Sequence, residues 1–120
     1  MAKSFRELLV WQRAMSLAEC VYRITEEFPK REMFGLAAQM RRAAISIPSN
    51  IAEGSSRGTR KDFRQFIAIA RGSNNELQTQ LELAVRIGLL SREKAEEADA
   101  FTHEVGRMLL RLSEYLGKAK

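Results

Sequence analysis

Residues 46–54 read Ser46-Ile47-Pro48-Ser49-Asn50-Ile51-Ala52-Glu53-Gly54, which is the most informative stretch of the chain. It places a proline inside what is otherwise the pattern of a long amphipathic helix. A proline in a helix interior removes one hydrogen-bond donor and crowds the carbonyl four residues back, which costs about 3 kcal/mol. Ser46 and Ser49 can bond to the freed carbonyls, and packing against other helices can hold the kink. We therefore expect a proline-kinked helix that depends on tertiary contacts.

Apolar residues recur every three or four positions along four segments, which is typical of amphipathic helices. The first predicted helix covers about 5–28 and the second about 31–54. The third covers about 59–88, from a Thr59 cap to Gly88, and the fourth covers about 91–117, from a Ser91 cap. Four long helices with short loops predict an all-α, up-down-up-down four-helix bundle, formed by a single domain over residues 1–120.

The first three predicted helices carry more apolar and small residues than one core face requires. Opposite the core face of the second helix lie small or polar residues such as Gly35, Ala38 and Ser49. Exposed helix faces normally favour Lys, Glu and Gln, so this second face is typical of an interaction surface. We expect the chain to form a homo-oligomer. The alternative is that a neighbouring helix of the same chain covers the face.

The positive charge of the chain is concentrated in its middle third. Residues 30–71 hold nine basic and three acidic groups, whereas residues 1–29 sum to zero and residues 72–120 to −1. A local basic surface attracts nucleic acid or another acidic partner, although an ordinary solvated face is the alternative. The positive end of the third helix and its free N–H groups would assist phosphate binding. The candidate nucleic-acid contacts are Arg57, Arg60, Lys61, Arg64 and Arg71.

No constellation of residues in the sequence points to catalysis or to a bound cofactor. One cysteine and one histidine, Cys20 and His103, are too few for a zinc site within one chain. The acidic pairs fit solvated helix surfaces, Asp62 fits a helix cap, and no phosphate loop of the Walker type is present. We therefore predict a non-enzymatic protein with no catalytic residue, metal or cofactor.

The sequence also indicates where the protein works. No run of 18 apolar residues is present, and the first residues lack the apolar core of a signal peptide. A single cysteine cannot form an internal disulfide and fits a reducing compartment. We expect a cytoplasmic protein without membrane contact.

Three segments together resemble a known protein family. They are Leu9–Met15, which reads Leu-Val-Trp-Gln-Arg-Ala-Met, the segment Gly35–Gly54, which contains the stretch quoted above, and Phe66–Leu81. They are similar to the conserved motifs of the bacterial 23S rRNA-intervening-sequence proteins, also called the four-helix-bundle protein family. Asn74-Asn75 departs from the usual Leu-Arg of that family, and it places a polar residue on the core stripe.

This resemblance implies a bundle that assembles into a ring, specifically a homopentamer, and it transfers no catalytic residue. The family is also similar to the accessory variability determinants of diversity-generating retroelements, which implies a reverse transcriptase or another protein as a partner and a basic surface that binds nucleic acid. Arg41 and Arg42 are expected to pair with Glu53 or with an acid of a neighbouring subunit. The signature residues with expected structural roles are Arg41, Arg42, Ser46, Pro48, Ser49, Asn50, Glu53 and Gly54.

Two functions remain open from the sequence. The first is a non-enzymatic oligomeric bundle that binds an RNA or DNA backbone, or a ribonucleoprotein partner, through its basic surface. The alternative is a homo-oligomeric protein-interaction scaffold that does not touch nucleic acid. A nuclease would require clustered carboxylates that hold a divalent metal, and no such set stands out.

Overall fold

The computed structural model describes residues 4–118 and shows four long helices. The helices are α1 (Leu9–Thr25), α2 (Leu36–Ser55), α3 (Arg60–Arg86) and α4 (Arg92–Leu116). Short 3-10 turns at Phe5–Glu7 and Lys30–Glu32 precede α1 and α2, and no strand occurs within residues 4–118. The predicted domain span of 1–120 extends beyond the described residues at both ends. The all-α class and the helical bundle are confirmed.

Helices that follow one another in the chain pack together, and α4 also packs against α1, which closes the bundle. The ion pairs between α1 and α4 show their relative direction. Arg13 Nε lies 3.3 Å from Glu104 Oε2, and Arg23 Nη2 lies 3.4 Å from Glu97 Oε1. Residue numbers rise along α1 as they fall along α4, so these helices are antiparallel. Together with the short connections, this arrangement is the predicted up-down-up-down topology, and the molecule measures 50 × 20 × 19 Å.

The core lies along the bundle axis and takes one apolar stripe from every helix. Burying a Val, Leu, Ile or Met side chain contributes about 1.5–3 kcal/mol, so these four stripes supply most of the driving force for folding. The largest fully buried apolar side chains are Leu17 and Val21 of α1, Met40, Ile47 and Ile51 of α2, Ile67, Leu77 and Leu81 of α3, and Val105 and Leu109 of α4.

The connection between α1 and α2 is longer than the sequence predicts. The prediction that the first helix reaches residue 28 is wrong, because α1 ends at Thr25 and Phe28 is buried in the connection. The second helix begins at Leu36 rather than near residue 31. Its cap residue Gly35 has φ −106° and ψ −115°, a backbone conformation that is not helical. The chain therefore uses Phe28 as a separate apolar anchor.

The other helix ends follow the predicted caps. The Thr59 hydroxyl accepts the Asp62 N–H at 3.1 Å, and the Ser91 hydroxyl accepts the Lys94 N–H at 3.1 Å. Gly88 has φ +82°, a left-handed conformation that favours glycine, and it terminates the last turn of α3. In contrast, α2 continues from Leu36 to Ser55 through Pro48. Within the described chain, no helix is both long and apolar enough to cross a membrane.

Candidate nucleic-acid interface and signature groove

The polar residues of the signature stretch join α2 to α3. The hydroxyls of Ser46 and Ser73 lie 2.8 Å apart, and Asn50 Nδ2 donates to the Ser46 carbonyl at 2.8 Å and to the Ser46 hydroxyl at 3.0 Å. The prediction that Ser46 and Ser49 bond freed carbonyls is wrong. Asn50 donates to the Ser46 carbonyl one turn back, which is not the Ala44 carbonyl that Pro48 leaves without its donor, and the Ser46 hydroxyl is engaged with the neighbouring helix.

Gly54 sets the distance between the same two helices. A Cβ atom at this position would lie 2.7 Å from Phe66 Cβ and 2.9 Å from Phe63 Cδ1. Both distances are shorter than real side-chain contacts, so only glycine allows α2 to approach α3 this closely. Gly54 therefore sets the spacing of α2 and α3 for a steric reason.

Arg41 ties the start of α2 to the end of α1. Its Nε donates to the Thr25 hydroxyl at 2.8 Å, its Nη2 donates to the Tyr22 carbonyl at 3.3 Å, and the guanidinium lies 4.5 Å from the centre of the Tyr22 ring. The nearby acid is Glu26, at 3.9 Å, and not Glu53. Arg41 therefore connects these two helix ends, and its acidic neighbour is Glu26 rather than the predicted Glu53, because Glu26 follows the last turn of α1.

The remaining two charged signature residues also differ from expectation. Glu53 pairs with Arg57 at 2.8 Å, rather than with Arg41 or Arg42, because Arg57 lies four residues further on. The Arg57 guanidinium also lies 4.8 Å from the centre of the Phe66 ring. Arg42 is exposed and makes no hydrogen bond or ion pair to the described residues. Arg57 is thus engaged within its own chain, whereas Arg42 is available.

An apolar groove of about 660 Å³ runs between α1 and α2. Exposed fractions of 36% for Met15, 40% for Tyr22 and 44% for Ile45 show that no other helix of the described chain covers it. The apolar groove contains Pro48 and Ser49 of the signature stretch. It is lined by Trp11, Met15, Ala18, Glu19, Tyr22, Arg23, Ile45, Pro48, Ser49 and Ala52.

A basic groove of about 650 Å³ lies between the start of α3 and the end of α4. Five cations line it, namely Arg60, Lys61, Arg64, Arg71 and Lys118, and none of its lining residues is acidic. The structure therefore brings together four of the five predicted contacts and leaves out Arg57. Lys118 was missed because it is far from the others in sequence. The antiparallel packing of α3 and α4 is the signal that places it there.

Two of the clustered arginines hold the bundle together. Arg60 Nη2 donates to the Tyr115 carbonyl at the end of α4, and its guanidinium lies 4.5 Å from the centre of the Tyr115 ring. Arg64 Nε donates to the Ser113 hydroxyl at 3.4 Å. Lys61 and Arg71 are exposed and make no such contact with residues 4–118. The groove thus combines two clamped cations, Arg60 and Arg64, which donate hydrogen bonds to α4, with two free cations, Lys61 and Arg71.

The positive end of α3 contributes less than predicted. Thr59 already accepts one of its N–H groups, and Asp62 adds a carboxylate to the first turn. Both features reduce the attraction of this helix end for phosphate. The side chains that line the groove therefore supply most of its positive potential.

Cys20 and His103 are the residues whose types could support nucleophilic chemistry, and each has its own neighbours within the bundle. Burial, followed by the neighbouring Glu97 carboxylate, raises the pKa of Cys20 to about 11, so its thiol stays protonated. His103 Nδ1 lies 2.8 Å from the Asp99 carbonyl. Among residues 4–118, no group of three or more His, Cys, Asp or Glu side chains could hold a metal ion.

Comparison with known proteins agrees with this fold. The family described as 23S rRNA-intervening sequence protein matches residues 6–111. The chain belongs to this family. A crystal structure of a protein of unknown function from the S23 ribosomal protein family of Bacteroides thetaiotaomicron is also similar, with a TM-score of 0.79 and 25% identity over 88% of this chain and 98% of that chain. No curated protein matches the sequence. The predicted family is confirmed, and the relation to retroelement accessory proteins stays a prediction.

Proposed function

We propose that this 23S rRNA-intervening sequence protein binds the phosphate backbone of RNA or DNA through the basic groove, and that it catalyses no reaction. The main support for this proposal is a concave surface that is lined by five cations and no carboxylate. Such a surface attracts a polyanion, and arginine guanidinium groups match pairs of phosphate oxygens. Backbone contacts of this kind confer little dependence on base sequence.

The two free cations on α3 define a track for one strand. Lys61 and Arg71 are ten residues apart on the same helix, which corresponds to about 15 Å at a rise of about 1.5 Å per residue. This length corresponds to four to five nucleotides of one strand when that strand is stacked as in a B-form duplex, with a rise of about 3.4 Å along the helix axis. Each protomer therefore offers a short, weak site whose affinity needs repetition.

Self-association supplies that repetition in this proposal. The apolar groove between α1 and α2 binds a different surface of the next copy, since such head-to-tail contacts close into rings. A bend of α2 at Pro48 shapes the groove, and five copies close the ring, as the family resemblance implies. Several basic grooves on one ring then bind one nucleic-acid chain with a combined affinity well above that of a single groove. The unpaired Cys20 fits a reducing compartment, and the proposal places the ring in the cytoplasm.

The apolar groove also supports a second candidate function, a protein-interaction scaffold. An uncovered apolar groove of this size fits a helix of a partner protein, such as the reverse transcriptase that the resemblance implies. In this case the cations of the basic groove recognise acidic side chains of that partner. The two functions differ in one property, because only the first requires affinity for a nucleic acid free of protein.

The test is to measure molar mass by light scattering, alone and with a mixed-sequence RNA, at about 50 and 150 mM salt. We expect a discrete oligomer that gains the mass of RNA and loses it as salt is raised, because salt competes for phosphate contacts. The same oligomer without RNA at either salt would favour the scaffold. A monomer at all concentrations would contradict the ring.

A matched pair of double variants assigns the binding to the groove. Lys61→Gln with Arg71→Gln removes two phosphate contacts, so the slope of log affinity against log salt becomes shallower by about 1.4 for a single strand. Lys30→Gln with Arg31→Gln removes the same charges from an exposed turn outside the groove. An equal loss of affinity in both double variants would mean that net charge, and not the groove, determines the binding.

A further inference from the structure

A third recess, which we call the polar pocket, adjoins the basic groove between α3 and α4. It has a volume of about 250 Å³, and Arg71 lines both the pocket and the groove. No residue that lines the polar pocket is acidic. A strand that follows the basic groove past Arg71 therefore reaches a second recess that does not repel its negative charge.

Hydrogen bonds between α3 and α4 hold the walls of this pocket together. Asn74 Nδ2 donates to the Thr102 carbonyl at 2.9 Å, and Gln78 Nε2 donates to the Thr102 hydroxyl at 3.2 Å. Asn74 is only 2% exposed, and its buried Oδ1 accepts no hydrogen bond from the described residues. This amide therefore contributes to packing, and a ligand in the pocket meets the exposed side chains around it instead.

Each wall of the polar pocket carries one unpaired cation. Arg71 belongs to α3 and Arg107 to α4, and both side chains are exposed. Neither makes a hydrogen bond or an ion pair with residues 4–118. The exposed amide of Asn75, which also lines the pocket, adds neutral donors. Guanidinium groups bind pairs of phosphate oxygens, so two of them suit a phosphate that carries more than one negative charge.

His103 lines the polar pocket and has one ring nitrogen left for a ligand. Its Nδ1 lies 2.8 Å from the Asp99 carbonyl oxygen, which can only accept, so Nδ1 carries the hydrogen. The other nitrogen, Nε2, accepts a hydrogen bond when the ring is neutral and donates one when the ring is protonated. A terminal phosphate has a second pKa of about 6 and can share one proton with this nitrogen, whereas an internal phosphodiester has no proton to share.

The row of unpaired cations on α3 ends at the polar pocket. The next two cations in that direction, Arg86 and Arg92, both bond to Glu82 at 2.9 Å. On α4, Asp99 adds a carboxylate one turn before His103. Among the described residues of these two helices, a strand therefore finds unpaired cations up to the pocket but not directly beyond it. The end of a strand fits this place better than its middle.

We propose that the polar pocket binds the terminal phosphate of a nucleic-acid strand whose backbone lies in the basic groove, through the guanidinium groups of Arg71 and Arg107 and the imidazole of His103. This inference rests on the proposed function. A terminal phosphate carries a charge of about −1.5 to −2 at pH 7, whereas each internal phosphate carries a single negative charge. The terminal group therefore gains more from two guanidinium groups. The 5′ and 3′ ends present the same phosphomonoester, and the test separates them.

The test compares three forms of an internally labelled 12-nucleotide oligo(U), with a 5′-phosphate, with a 3′-phosphate and with neither, by fluorescence anisotropy at one salt concentration. We expect at least one phosphorylated form to bind about fivefold or more tightly than the unphosphorylated form, as expected for added hydrogen bonds between charged groups. The form that gains affinity identifies the end that enters the pocket. Arg107→Gln should abolish this preference. Arg111→Gln should keep it, because Arg111 is exposed one turn further along α4 and lines neither recess.

The outcomes separate this inference from the proposed function. Lys61→Gln, the backbone control, should weaken binding of all three forms by the same factor. Equal affinity of the wild-type protein for the three forms, a preference that survives Arg107→Gln, or an equal loss of preference in Arg111→Gln would overturn the terminal-phosphate site and leave the backbone site intact. Failure to bind any of the three forms would overturn both. Circular dichroism checks that the arginine variants fold, as expected for exposed side chains.

Discussion

The apolar groove and the basic groove have similar volumes, but different kinds of side chain line them. The apolar groove is formed by two sequence-adjacent helices, and large apolar side chains such as Met15 and Ile45 line it together with short ones such as Ala18. The basic groove is formed where α3 and α4 meet, and long side chains line it. Binding at the first surface would depend on shape and buried area, which salt hardly affects. Binding at the second would depend on charge, which salt screens over about 8 Å at physiological ionic strength.

The comparison also shows that a count of cations overstates a binding site. Arg60 and Arg64 line the basic groove, yet both donate hydrogen bonds to α4. Their removal would change the packing of the bundle as well as its charge. Ile45 of the apolar groove differs from them, because it is 44% exposed and carries no group that could donate a hydrogen bond to another helix. Variants that separate shape, packing and charge therefore test whether the two grooves are independent.

The largest effect is expected from Ile45→Glu in the apolar groove. If a second copy covers this groove, the variant buries an unpaired carboxylate, which costs several kcal/mol. We expect the dissociation constant of the oligomer to rise at least about 100-fold, which equals about 3 kcal/mol. Sedimentation velocity over a range of protein concentrations measures this change.

The matched control is Ile69→Glu, because Ile69 is 51% exposed on α3 and does not line the apolar groove. It introduces the same charge and side chain without changing that surface. Equal dissociation of both variants would show that the apolar groove has no special role. An oligomer that survives Ile45→Glu would place the contact elsewhere on the molecule.

The second prediction concerns Gly54, which holds α2 against α3 and so connects the two grooves. Gly54→Ala inserts a methyl group 2.7 Å from Phe66 Cβ. Overpacking of this kind costs about 1–3 kcal/mol, and the shift of α3 would weaken both self-association and nucleic-acid binding. The free energy of unfolding in urea measures the cost of overpacking.

Gly72→Ala is the control for Gly54→Ala, and the sign of its effect should be opposite. A Cβ atom at Gly72 has no neighbour within 4 Å, so alanine fits without strain. Replacing glycine in a helix interior by alanine stabilises by about 0.5–1 kcal/mol. Loss of stability in both variants would contradict the steric role of Gly54.

The sequence predicts the bundle well because its information is local. Stripes of apolar residues, the Thr59 and Ser91 caps and the Gly88 stop depend on neighbours within one or two turns, and all are found in the structure. The end of α1 was harder to predict. An apolar residue at position 28 continues the helical spacing, but the chain buries Phe28 from the turn that follows α1 instead.

The candidate site was predicted less completely, because its geometry depends on contacts between distant residues. Nothing near Lys118 indicates that the end of α4 meets the start of α3. The partner of Glu53 also depended on the direction of a side chain after the last turn of α2, which spacing alone does not fix. Asn74 was noticed as a polar residue on an apolar stripe, but its unpaired Oδ1 required the fold.

A third, smaller effect distinguishes clamped cations from free ones. Arg60→Gln loses a charged hydrogen bond to the Tyr115 carbonyl and the contact with the Tyr115 ring, so we expect a loss of about 1 kcal/mol in unfolding free energy. Lys61→Gln should leave the unfolding free energy within about 0.5 kcal/mol, because Lys61 is an exposed surface residue. In salt titrations, the Lys61 variant should show the larger change of slope. The reverse order would mean that Arg60 leaves α4 to contact phosphate.

The smallest effect is expected from Glu82→Gln, at the opposite end of α3 from the basic groove. Hydrogen bonds from Arg92, and then from Arg86, lower the pKa of Glu82 to about 2 from 4.5. A lowered folded-state pKa means that its contribution to stability is present above pH 4.5 and is lost as pH falls towards 2. The small difference in melting temperature between wild type and variant should therefore be constant near neutral pH and vanish in acid.

The same variant tests whether binding belongs to the basic groove or to the charge of the whole chain. Glu82 is 11 residues along α3 from Arg71, the nearest cation of the basic groove on that helix, or about 16 Å, which is about two screening lengths at physiological salt. Removing its charge should thus leave nucleic-acid affinity unchanged within about 1.5-fold at that ionic strength, as surface charges beyond the screening length interact weakly. Anisotropy with the mixed-sequence RNA measures this. A clear gain in affinity would show that the excess positive charge acts as a whole, and the distinction between the two grooves would then lose its electrostatic basis.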